Sequence, residues 1–86
     1  MHQLLLAKKA VKFLRTLPKG YKEAMKQRLK ELEITILPRD AIPLKGMEKC
    51  FRLRVGPFRV QYRFIEEDNS IFIYKISRRD ETTYRG

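Results

Sequence analysis

Four arginines within residues 51–64, Arg52, Arg54, Arg59 and Arg63, are spaced for chemistry on phosphate. Side chains of a strand point alternately to its two faces, so Arg52 and Arg54 share one face while Phe51, Leu53 and Val55 share the other. Gly56-Pro57 reads as a tight turn, after which Phe58, Val60, Tyr62 and Phe64 alternate with Arg59, Gln61 and Arg63. No carboxylate occurs between Glu48 and Glu66 to neutralise the polar face. Alternate strand residues lie about 6.6–7 Å apart, so Arg52 and Arg54 can straddle adjacent phosphates while Arg59 approaches from the neighbouring strand. Guanidinium stays charged and matches phosphate geometry, which suits it to the extra negative charge of a pentacovalent phosphoryl transition state. RNA cleavage by the substrate's own 2′-hydroxyl fits such a set. It needs no metal and no enzyme nucleophile, only in-line alignment, charge stabilisation and proton transfer. By spacing alone, a basic strand face more often binds without cutting.

Other chemistries find few residues. There is no glycine-rich phosphate loop and no CxxC; the single histidine, His2, reads as an exposed or packing residue and the single cysteine, Cys50, as a packing residue. No metal site and no cofactor are expected. Twenty Lys and Arg against ten Asp and Glu give a net charge of +10, which favours polyanions through counterion release. One cysteine forms no internal disulfide, and no run approaches the roughly 20 apolar residues that span a bilayer, so a cytoplasmic protein without a membrane partner is expected.

The elements that must position these arginines follow from periodicity. Residues 2–6 read as a short strand. Ala7, Ala10, Val11, Leu14 and Leu17 form a helical stripe, with Lys8, Lys9, Lys12 and Arg15 opposite. Pro18 breaks that helix and opens a second, which runs to about residue 32 or 33 with Tyr21, Ala24, Met25, Leu29 and Leu32 as its stripe. Residues 37–46 carry two prolines and read as an irregular crossing loop. Residues 50–55, 58–64 and 71–77 read as an antiparallel meander, and in the last run Phe72, Tyr74 and Ile76 are placed on the face opposite Ile71, Ile73 and Lys75. The expectation is a single α+β domain over residues 1–86, an N-terminal strand and an α-helical hairpin packed on a small antiparallel sheet, in the order β-α-α-β-β-β.

The two helices, Leu44-Lys45-Gly46, the hairpin from Phe51 to Tyr62, and Ser77-Arg78-Arg79 followed by Tyr84 together resemble the RelE branch of the RelE/ParE toxin superfamily. The resemblance covers nearly the whole chain. It implies a toxin of a type II toxin-antitoxin system that cuts messenger RNA in the ribosomal A site, a metal-independent endoribonuclease held inactive by a RelB-like antitoxin. Carried over by position, Arg52 and Arg54 match the basic residues of the first hairpin strand, and Arg59 matches the arginine at the scissile phosphate. Arg79 matches the basic residue proposed to protonate the leaving group, with Arg78 the next choice, and Tyr84 matches the tyrosine that stacks on or orients the substrate. Lys45 would be a supporting RNA contact, and Arg63 and Arg85 extend the basic surface. Arg54 stands where some members carry Lys, and its very high pKa makes it a poor general base, so another group must accept the 2′-proton or positioning must do more.

The alternatives come from other classes: a non-enzymatic gyrase inhibitor of the ParE type, or a basic nucleic-acid-binding module or inactive toxin. The arginine set favours RelE. The strong positive charge also implies an antitoxin segment that is acidic and amphipathic and folds as it binds.

Overall fold

The alternation at residues 51–64 becomes the centre of a five-stranded sheet. The computed structural model describes residues 1–78, and the order along the chain is β1 (Gln3–Leu6), α1 (Lys8–Arg15), α2 (Lys19–Glu31), β2 (Ile42–Pro43), β3 (Cys50–Val55), β4 (Phe58–Ile65) and β5 (Ser70–Arg78). A 3-10 turn at Glu66–Asp68 joins the last two strands. The sheet order is β1-β5-β4-β3-β2. As expected, β3, β4 and β5 form an antiparallel meander and two helices precede them. The sheet extends beyond that meander at both edges. β1 joins β5 in parallel, Leu4 opposite Ile71 and Leu6 opposite Ile73, and the crossing loop contributes the two-residue β2, with Ile42 opposite Arg52.

Both helices lie on one face, where Leu53, Val60, Ile71 and Ile73 are fully buried with Met25 and Leu32. Each large aliphatic side chain so buried contributes about 1.5–3 kcal/mol. At one end Phe58 is wedged between Phe13 of α1, 5.7 Å away by ring centroids, and Tyr21 of α2 at 5.2 Å, both edge to face. Phe13 thus joins the α1 stripe, whereas Ala24 of α2 points to solvent. No described helix is long and apolar enough to cross a membrane.

One alternation is corrected. Gln61 faces Lys75 but the next residue, Tyr62, faces Ile73, so Tyr74 is an extra residue on β5. This β-bulge reverses the parity of the strand beyond it. Ile76 therefore buries with Ile71 and Ile73 instead of sharing a face with Phe72 and Tyr74. The same reversal sends Lys75 and Ser77 to the outer face beside Gln61 and Arg59.

Candidate active site

Between β3 and β4 only Gly56 and Pro57 intervene, since Val55 pairs with Phe58. Gly56 has φ +59°, and proline supplies negative φ at the next position, the sign pattern of the two-residue type II′ hairpin. This turn sets the register, placing Arg54 opposite Arg59 and Arg52 opposite Gln61. Like charges directly across a ladder oppose pairing, so facing guanidiniums are poor structural design and good anion design. Gly56→Ala should destabilise the protein by about 1–2 kcal/mol, because an L-residue resists positive φ. Open space surrounds the added Cβ, so the effect is conformational rather than steric. In a domain this small, each kcal/mol lost should lower the melting temperature by about 4–8 °C in a thermal scan, and an unchanged melt would show that the turn relaxes at no cost.

Arg52, Arg54, Gly56 and Arg59 line a recess of about 610 Å³ on the outer face, completed by Asp40 and Ile42 from the crossing loop. The volume is that of a small-ligand site. Asp40 reaches this edge because the loop is tied down twice. The Tyr62 hydroxyl donates to the Ile36 carbonyl at 2.8 Å, and Arg28 of α2 donates to Asp40 Oδ1 at 2.7 Å. Arg28 Nε also lies 3.5 Å from Glu31 Oε1. The hydrogen bond from Arg28 holds the Asp40 carboxyl below its ordinary range, with smaller help from the nearby Arg54 charge. Among the described residues, the ion pairs engage Arg28 and Lys49 and leave Arg52 and Arg54 to the recess. No three His, Cys, Asp or Glu side chains among them gather where they would hold a metal ion.

Not every expected site residue lies at this recess. Arg63 sits four residues along β4 from Arg59, about 13 Å at strand spacing, and lines a second hollow with Met47, Cys50, Phe72 and Tyr74. Burial there, with Cys50 alongside, pushes the Tyr74 hydroxyl pKa up. Lys45 is exposed in the turn joining β2 to β3, towards the Cys50 end of β3 and away from Gly56. The Arg78 guanidinium stands 5.2 Å over the Phe58 ring, on the helix-covered side of the sheet. Arg79, Tyr84 and Arg85 lie outside the described residues. Asp40 was missed, because nothing in the sequence ties a loop aspartate to a distant hairpin; the length of the crossing loop was the available signal.

A family profile described as the ParE toxin of type II toxin-antitoxin systems, parDE, matches residues 4–83. The RelE1 protein of Methanocaldococcus jannaschii is 36% identical over 76 residues, covering 85% of this chain and 84% of its own length. The chain belongs to the RelE/ParE family of type II toxins. Its similarity to RelE structures is equally extensive: the toxin of the archaeal RelE-RelB complex from Pyrococcus horikoshii OT3 superposes with a TM-score of 0.82 at 30% identity, covering 99% of this chain and 98% of that one. The intact Escherichia coli RelBE complex matches with a TM-score of 0.81 at 22% identity over 91% of this chain and 96% of that chain, a likeness of fold. The two helices and five-stranded mixed sheet are thus the RelE architecture.

Proposed function

We propose that this toxin is a ribosome-dependent endoribonuclease that cuts messenger RNA in the A site. The observation that carries the reading is the convergence of Arg52, Arg54 and Arg59 on one recess. In the reaction the 2′-oxygen attacks the adjacent phosphorus and the 5′-oxygen leaves, with negative charge growing on the non-bridging oxygens between guanidiniums placed to receive it. Arginines donate hydrogen bonds and accept no proton, so alignment of the 2′-oxygen, phosphorus and leaving oxygen must supply much of the rate. A ribosome holding the codon provides that alignment. Arg79 and Tyr84 are assigned to leaving-group protonation and base stacking by resemblance, and Lys45, Arg63, Arg78 and Arg85 to the wider basic surface.

The test is cleavage of A-site codons on programmed ribosomes by purified protein without added metal beyond the ribosome's own requirement. Cut products should map within the A-site codon, and the same RNA free in solution should be cut far more slowly. Binding to programmed ribosomes without any cut would overturn the enzymatic reading. Because the matching profile carries the ParE name, a gyrase supercoiling assay belongs beside it; inhibition there with no cleavage would favour the non-enzymatic toxin.

The partner proposed is a RelB-like antitoxin in the cytoplasm. Val11 and Leu14 of α1 form an apolar hollow rimmed by Arg15, Lys22 and Lys26, suited to an acidic amphipathic segment. The P. horikoshii relative was solved in complex with RelB.

A further inference from the structure

Among the described residues, the recess gathers three guanidiniums, which accept no proton, and one carboxylate, which can. We propose that Asp40 accepts the 2′-hydroxyl proton in RNA cleavage and that Arg28 is the positioning residue that aims it. The assignment rests on the ribonuclease reading of the same recess. Asp40 arrives from the crossing loop on the β2 side, facing Arg52 and Arg54 of β3 and Arg59 of β4. Its side chain is 52% exposed, open to a docking substrate. Oδ1 takes the 2.7 Å bond from Arg28, which fixes the orientation of the carboxylate beside Arg54.

The step balances simply. The 2′-oxygen gives its proton to the carboxylate and its electron pair to phosphorus; the bond from phosphorus to the 5′-oxygen breaks, and the departing oxygen takes a proton from the leaving-group donor or from solvent. The products are a 2′,3′-cyclic phosphate and a 5′-hydroxyl end. In the free toxin the carboxylate is fully ionised but weakly basic. Covering by RNA removes water and brings phosphate charge near, both of which raise a carboxylate's pKa and strengthen it as a base. Among the described residues, the charged and titratable groups around it are Arg28 and Glu31 from α2, Arg52 and Arg54 from β3, and Arg59 and Tyr62 from β4. Arg28 contributes most to keeping Asp40 ionised, so its removal should raise the pH at which the base becomes available.

The experiment measures single-turnover A-site cleavage by wild type, Asp40→Asn and Arg28→Gln between pH 5 and 9. Asparagine keeps an acceptor for Arg28 and the shape of the loop while losing the base. Asp40→Asn should cut about 100-fold more slowly with ribosome affinity unchanged or tighter, since the recess becomes more positive. A purely electrostatic or structural aspartate gives the opposite sign: asparagine then cuts as fast as wild type or faster, and that result overturns the assignment. Arg28→Gln should shift the acid limb of the rate profile to higher pH while keeping most of the alkaline rate. An unmoved limb counts against the assignment even if Asp40→Asn fails to fold. Wild type that does not cut refutes the ribonuclease reading beneath; wild type and Asp40→Asn cutting alike refutes only the proton acceptor.

Discussion

Arg59→Ala is expected to lower A-site cleavage by about a thousandfold, the upper end of what loss of one oxyanion donor does to an enzyme. Arg59 stands opposite Arg54 on the outer face, where the turn at Gly56 fixes how far apart the two strands can carry their guanidiniums. A bound phosphodiester carries one negative charge and its pentacovalent transition state carries more, so the guanidinium's contribution grows along the reaction. The loss should therefore fall on the cleavage step and leave binding to the ribosome much less affected. Arg59→Lys tests the geometry separately from the charge. Lysine keeps the positive end but loses the planar fork that grips two oxygens at once, so it should recover part of the rate and not all of it. Cleavage by Arg59→Ala within a few-fold of wild type would remove the recess from the chemistry, whatever the fold resembles.

The hairpin that carries Arg59 was legible in the sequence for a plain reason: each strand alternates arginine or glutamine with apolar residues, and Gly56-Pro57 admits few turns. A single register satisfies both. β5 gave no such guide. Residues 71–74 are apolar at every position, so the sequence pattern has no way of marking Tyr74 as the extra residue or of showing that Ile76 turns inward. β2 was hidden by its length and by Pro43, which a strand tolerates at an edge but which reads as loop. The parallel partner of β1 was equally invisible, since the register of Leu4 with Ile71 joins residues from opposite ends of the chain. The arginines could thus be read from local alternation, while Asp40 and Arg28 could not. Their meeting depends on how a loop of mixed composition crosses the sheet edge, and no period encodes that.

Tyr62 holds that crossing in place, and its replacement carries the largest expected effect on stability. The side chain is fully buried, its ring 5.5 Å from that of Phe51, with its hydroxyl donating to the Ile36 carbonyl across 26 positions of sequence. Tyr62→Ala should cost about 3–5 kcal/mol, as for other large aromatic truncations. Domains hold roughly 0.05–0.15 kcal/mol per residue, so the alanine variant should lose a large share of the total and melt well below wild type in a thermal scan. Tyr62→Phe isolates the hydroxyl. It leaves the Ile36 carbonyl without its partner and should cost about 1–3 kcal/mol, while freeing the segment that presents Asp40. Burial raises the Tyr62 hydroxyl pKa well above its ordinary value of 10.0. The unfolded tyrosine therefore ionises first, so the hydroxyl's contribution to folding is complete below about pH 10 and is lost as pH rises towards the folded value. Urea melts of wild type and Tyr62→Phe should differ by a constant amount from pH 7 to 9, and the gap should close at higher pH as only the wild type weakens through this group. Equal melts at pH 7 would mean that the hydroxyl does not anchor the loop, and the placement of Asp40 would then rest on Arg28 alone.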